Sequence, residues 1–188
     1  MAIEAARRGM VFTLIALLSV VIIMVIAASV TRYSFAARYE SIESRVRSMD
    51  DFIDSFHADA QRAMYIAGFR SFIAMEDYVS ENAVYLNDSS YYFRQLFYNG
   101  TIAGEEFDIL NDSTFYLYQT RVADIARTLD IDFSSSVNSI RMYQDDPWKV
   151  IVEVDIFVNI SDRRGLAAWQ YNTTLVGVIP IDGLRDPL

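Results

Sequence analysis

The chain of 188 residues has no cysteine and only one histidine, His57. Without cysteine it can form no disulfide framework, and it offers no thiolate as a nucleophile or metal ligand. A lone histidine lacks the converging partners of a metal site or proton relay, so His57 is expected to be a surface residue. There is also no glycine-rich phosphate loop and no G-x-S-x-G motif. We therefore expect no enzyme activity, no catalytic residue, no metal and no cofactor.

Positive charge is also scarce, because 16 Lys and Arg stand against 25 Asp and Glu and give a net charge of -9. Binding to phosphate backbones needs a positive surface, so nucleic acid is not an expected partner. The acidic residues Asp50, Asp51 and Asp54 are interpreted as a solvated helix face, since calcium needs six to eight oxygen ligands from a folded loop. Asp145-Asp146-Pro147 predicts a turn, with Trp148 as its anchor.

One long stretch contains no charge at all. Residues 10–30 read MVFTLIALLSVVIIMVIAASV. A helix of this length matches a hydrocarbon core of roughly 30 Å, so we predict a transmembrane helix over residues 10–31 behind a cytoplasmic tail of residues 1–9. The lipid bilayer is then the first partner. The alternative is a secretory signal peptide cut near Ala27-Ala28-Ser29, although the apolar region of such peptides is shorter.

Five of the seven asparagines lie in N-x-Ser/Thr motifs, which are acceptors for N-glycosylation. They are Asn87, Asn99, Asn111, Asn159 and Asn172. All five follow the apolar stretch. We therefore expect the C-terminal part to be extracellular and glycosylated, with the protein placed in the cell membrane.

Apolar residues after the stretch alternate at spacings of four and three, the pattern of helix-on-helix packing. We call this the seam; it comprises Phe35, Tyr39, Ile42, Val46, Met49, Ile53, Phe56, Ala60, Ala63 and Ala67. The pattern predicts one helix that continues outward to Ala67, with its first break at Gly68. The seam either joins subunits or forms the monomer's own core. We favour the core for the part from Ile53 onward, because the apolar face of a later sheet must be covered.

Further helices are predicted over Phe69–Leu86 and Ser90–Tyr98, with a loop over Gly104–Leu110. Asp112 or Ser113 is expected to cap another helix, whose apolar face comprises Phe115, Tyr118, Val122, Ile125 and Leu129. Alternation from Val150 to Ile160 then predicts a strand. A hairpin leads to a strand that presents Trp169, Tyr171, Leu175, Ile179 and Ile181 on one face, and a shorter strand is expected around Ile140 and Met142.

The resulting fold class is α+β, with a long N-terminal transmembrane helix, further helices and a three-stranded antiparallel sheet. The predicted division places the extracellular helical region at residues 32–98, a loop and helix at 99–134, and a β-meander at 135–188. About 150 residues outside the membrane are enough for one domain with its own core.

This build, together with Arg8-Gly9 before the apolar stretch and Phe12-Thr13-Leu14-Ile15 within it, resembles archaeal type IV pilin-like proteins. The resemblance implies a class III signal peptide processed after Gly9, which leaves Met10 as the first residue. In this chain Ala16 stands where the family has glutamate, and Met10 and Val11 precede the Phe12 motif. The resemblance also implies a surface protein that assembles with other subunits.

The sequence therefore favours a membrane-anchored extracellular interaction protein, such as a minor pilin, pseudopilin or cell-envelope component. It would act as a homo- or hetero-oligomer with membrane or pilin-like subunits. The alternative is a single-pass sensor or receptor ectodomain that signals through a partner, since about nine residues on the inner side leave no room for an output domain. An anchored enzyme is disfavoured, because no residues form a recognisable catalytic constellation.

Overall fold

The computed structural model describes the backbone of residues 2–183 and the side chains of residues 15–29 and 39–183. The chain divides into two compact units, Met1–Arg47 and Ser48–Leu188. Helix α1 runs over Ala2–Asn82 and contributes to both units. Its second part, two shorter helices and a sheet make up the larger unit, which contains the hydrophobic core.

The two shorter helices have well-defined ends. Helix α2 spans Ser89–Asn99, begins where the side chain of Asp88 accepts a hydrogen bond from the N–H of Tyr91, and ends at Gly100 with φ +80°. Helix α3 spans Phe115–Thr128 and begins at Thr114, whose hydroxyl accepts from the N–H of Leu117. Thr114, rather than the predicted Asp112 or Ser113, is therefore the N-cap. Between α2 and α3 lie the short strands β1 (Thr101–Ile102) and β2 (Glu105–Glu106) and a 3₁₀ helix at Asp108–Leu110, where the sequence predicted a loop over Gly104–Leu110.

The main sheet is a three-stranded antiparallel meander in the order β3-β4-β5, which confirms the prediction. The strands are β3 (Ile131–Asp146), β4 (Lys149–Asp162) and β5 (Ala168–Pro180). Strand β3 is much longer than the short strand expected around Ile140. In its first half only Ser135 interrupts the apolar face formed by Ile131, Phe133 and Val137, and pairing with β4 holds this half in the sheet from Ile131 onward.

The inner face of the sheet packs on the helices. On β4 the even-numbered residues from Val150 to Ile160 are buried, and on β5 Leu175 and Ile179 are buried. From α1 the same core receives chiefly Met49, Phe52, Phe56, Ala60, Met64 and Ala67. The preference for an intramolecular core in the second half of the seam is thus confirmed, although Phe52 and Met64 take deeper positions than Ile53 and Ala63.

Gly68 does not break α1. It is buried at the point where the helix crosses β5, and a Cβ atom at this position would overlap the Cδ1 atom of Ile179. Nearby, Gly177 of β5 faces Met64, where an added Cβ would lie 3.3 Å from the Cβ of Met64. Two glycines, one on each element, therefore allow the helix and the strand to approach closely. The residues predicted as a separate helix, Phe69–Leu86, continue α1 as far as Asn82.

The predicted transmembrane helix over residues 10–31 is wrong on this evidence. Within the part of the chain that the structure describes, no helix is long and apolar enough to cross a membrane. The predicted α+β class and three-stranded antiparallel sheet remain.

Two smaller expectations are also corrected. Trp148 does not anchor the β3–β4 turn, because its side chain is 64% exposed. In α3, Ile125 and Leu129 are exposed, and Gln119 and Ala126 take buried positions instead.

Candidate association surface

The first unit carries a continuous apolar surface. Along residues 15–26 the large side chains are 50–69% exposed, with no charged residue among them. They are Ile15, Leu17, Leu18, Val20, Val21, Ile22, Ile23, Met24, Val25 and Ile26. Soluble monomers rarely expose contiguous apolar patches of more than a few hundred Å², and larger patches mark interaction sites. We call residues 15–26 the apolar segment.

The polar side chains near this segment are satisfied within the helix. The hydroxyl of Ser19 donates to the carbonyl of Ile15 at 2.9 Å, and the hydroxyl of Ser29 donates to the carbonyl of Val25 at 2.8 Å. Backbone carbonyls four residues back are the usual acceptors for serine inside a helix. A partner can therefore cover this surface without leaving these hydroxyls unpaired, which would otherwise cost free energy.

The seam is divided between exposed and buried residues. Tyr39 is 73% exposed, Ile42 is exposed and Val46 is half-buried. Met49 and Phe56 are buried in the core of the larger unit, and Ile53 packs against that core from a half-buried position. The candidate processing residues Arg8, Gly9 and Met10, and Phe35 of the seam, lie outside the residues whose side chains are described.

The five candidate glycosylation sites lie on accessible positions of the larger unit. Asn87, Asn99, Asn111 and Asn172 are exposed, and Asn159 is half-buried on the outer face of β4. Asn159 accepts a hydrogen bond from Gln170 at 3.3 Å, and Asn172 accepts one from Asn138 at 3.4 Å. These weak surface bonds leave the amides reachable.

We expect protein isolated from its native cells to exceed the 21.5 kDa mass of the bare chain by several glycans. Replacing Asn172 with Gln should lower the intact mass by one glycan, because this side chain points to solvent from an exposed strand position. The matched control is Asn138→Gln, which alters an exposed asparagine outside any acceptor motif and should leave the glycan mass unchanged. An unmodified native mass would contradict the predicted extracellular location.

His57 is not the surface residue expected from the sequence. It is half-buried, and its Nε2 atom lies 3.1 Å from the hydroxyl of Tyr171 on β5, with the two rings stacked at 5.9 Å. Burial raises the pKa of Tyr171. A single histidine gives no sequence pattern that could reveal this contact. The pair fixes α1 against the sheet.

The outer face of the sheet carries a polar network around Asp155. Its carboxylate accepts hydrogen bonds from the hydroxyls of Ser139 and Thr174, both at 2.6 Å, and from Arg141 at 3.3 Å. The hydrogen bond from Ser139 is the main cause that holds the pKa of Asp155 below its ordinary value. Since Ser139, Asp155 and Thr174 come from β3, β4 and β5, this network ties the three strands together on the solvent side.

Asp50, Asp51 and Asp54 are exposed on α1. Throughout the described residues, no group of three or more His, Asp or Glu side chains could hold a metal ion.

No family model, curated protein or solved structure matches the chain.

Proposed function

We propose that this protein is an extracellular structural and interaction protein of the pilin-like kind: a minor pilin, pseudopilin or cell-envelope component. It acts by association with further copies or with related subunits at the outer face of the cell membrane. The observation that carries the proposal is the apolar segment, because ten large apolar side chains lie there with half or more of their surface exposed.

The free energy of association favours an assembly in which several subunits surround the apolar segment. Covering one half-exposed aliphatic side chain stabilises an assembly by roughly 1 kcal/mol, so the whole segment could supply roughly 10 kcal/mol. Association itself costs about 4–15 kcal/mol in lost rigid-body freedom. A single partner that touches one side of the helix would therefore gain little, whereas several neighbours around it would bind stably.

The larger unit supports the same function. It has a closed core of its own, and its candidate glycosylation sites all lie on accessible surface. Glycans at Asn159 and Asn172 would cover the outer face of the sheet and leave the apolar segment for contact with other subunits.

Association should depend on the apolar segment. We expect the double variant Ile22→Asp/Val25→Asp to lose self-association, because charge at an apolar interface costs several kcal/mol. Light scattering coupled to size-exclusion chromatography of the full chain measures this as a fall from oligomer to monomer mass. Leu166→Asp is the matched control, since Leu166 is an exposed apolar residue in the β4–β5 turn and should not affect assembly.

The structure of the larger unit should stay intact in both variants, as judged by circular dichroism. If the double variant assembles as well as the control, the apolar segment is not the association surface and the proposed function fails.

A further inference from the structure

A second surface of the larger unit has the composition of a protein-binding site. It is a cleft of about 490 Å³ between α1 and the start of α3. Three arginines line the cleft: Arg62 and Arg70 from α1 and Arg121 from α3. Its lining also includes two carboxylates, those of Asp59 and Asp112. The cleft therefore has more positive than negative side chains, although the net charge of the chain is -9.

The arginines are only partly paired. Arg121 forms an ion pair with Asp112 at 3.0 Å, while Arg62 lies 3.7 Å from Asp59 with both side chains largely exposed. The half-buried Arg70 donates one hydrogen bond, to the carbonyl of Ile109 at 3.4 Å, and pairs with no carboxylate of the described residues. A guanidinium has five N–H donors, so Arg70 retains the capacity to bind a carboxylate.

The cleft also has an apolar part. Ala63 and Ile66 of α1 line it, and Ile66 is 45% exposed. Tyr65, also exposed, lies beside Ile66 and extends this apolar surface around the helix. Arginine and tyrosine beside an exposed aliphatic residue are the types enriched in protein interfaces. Asn111 precedes Asp112 and does not itself line the cleft.

A surface of opposite character lies at one end of the sheet. The exposed Trp148 follows Asp145 and Asp146 in the β3–β4 turn, and its carbonyl accepts a hydrogen bond at 2.9 Å from the N–H of Ile181, which precedes Asp182. Asp146 accepts a hydrogen bond from the N–H of Trp148 at 2.9 Å, Asp145 precedes it in the turn, and Asp182 follows Ile181. Three acidic residues therefore belong to this end of the sheet, and Lys149 is the adjacent cation among the described residues. We call Asp145, Asp146, Trp148 and Asp182 the acidic knob.

We propose that the arginine cleft of one copy binds the acidic knob of a second copy, with the indole of Trp148 against Ile66 and the knob's carboxylates on the arginines. The proposal rests on the proposed function, association between copies, and adds a contact separate from the apolar segment. Because cleft and knob are different surfaces, the contact is heterologous, and repeating it builds an open chain of subunits unless the rotation closes a ring.

The natural lack of cysteine makes a direct test possible. Full-length chains carrying Ile66→Cys and Pro147→Cys are mixed at equal concentration, in a mild detergent that covers the apolar segment, and then oxidised. Pro147 is exposed between Asp146 and Trp148, so the knob keeps all its carboxylates. We expect a disulfide-linked heterodimer in at least about tenfold excess over the control mixture of Ile66→Cys with Leu166→Cys, since Leu166 lies at the other end of the sheet. Mass spectrometry identifies which two chains are joined.

A second experiment removes two positive charges from the cleft and leaves the hydrophobic core unchanged. Arg62→Ser and Arg121→Ser, added to the Ile66→Cys chain, should lower the heterodimer yield to the control level, while circular dichroism shows an unchanged fold. Equal yields in all mixtures, or no cross-link between cleft and knob, would overturn the proposal. The Asp substitutions in the apolar segment should leave this cross-link intact, so failure here and failure of the proposed function are distinguishable.

Discussion

Phe56→Asp is expected to unfold the larger unit. Phe56 is 3% exposed, and its ring lies 5.1 Å from that of Phe133 on β3 and 6.3 Å from that of Tyr118 on α3. Removing a buried phenylalanine alone costs about 3–5 kcal/mol, and a carboxylate without a partner adds its own desolvation cost. Together these two costs approach the free energy of unfolding of a typical domain, about 5–15 kcal/mol.

Urea unfolding followed by tryptophan fluorescence measures this effect, since Trp169 is half-buried on the inner face of β5. Ile53→Asp is the matched control on the same helix. Ile53 is only half-buried, so its replacement should cost about 1–2 kcal/mol and leave the unit folded. A folded Phe56→Asp variant that had merely lost self-association would show that this part of the seam joins subunits.

Gly68→Leu should be the second strongly destabilising change, by about 3 kcal/mol, because overpacking a close contact forces the helix and strand apart. Leucine is a better helix former than glycine by roughly 0.8 kcal/mol, so steric conflict with Ile179, not helix propensity, must account for any loss. Ala58→Leu, on the exposed side of the same helix, is the control and should change stability by less than about 0.5 kcal/mol.

The conflict can be assigned to a single partner. In the background of Ile179→Ala, the added leucine finds space and part of the loss should be recovered, which a double-mutant cycle measures as a coupling free energy. If Gly68→Leu costs the same in both backgrounds, the glycine is needed for another reason and the close approach to Ile179 is not the cause.

Periodicity predicted the elements whose apolar residues repeat strictly. The alternation from Val150 to Ile160 predicted the central strand and its buried face, and the predicted helix over Ser90–Tyr98 agrees with α2 to within one residue at each end. Spacing alone could not distinguish Ile53 from Phe52, because both lie near the edge of one helical stripe. The tertiary contact with Phe133 places Phe52 deeper.

Features that depend on distant partners were not predictable. Gly68 was interpreted as a break because a glycine in a helix usually weakens it, and only the position of Ile179 shows that the residue serves close packing. The contact of His57 with Tyr171 and the arginine cleft likewise join residues far apart in the chain. Trp148 was expected to anchor its turn, since tryptophan is usually largely buried, yet it is exposed.

The packing of α1 on β5 has a consequence for biosynthesis. His57 and Tyr171, which meet in this contact, are separated by 114 residues. At the usual rate of about 5–20 residues per second, the ribosome needs roughly 6–23 s between making one and making the other. Throughout that interval the face of α1 that carries Met64 lacks β5, whose Gly177 later lies against it, so the nascent chain needs shielding from aggregation. Any product truncated before Ala168 would keep that face exposed and be a substrate for quality-control proteolysis.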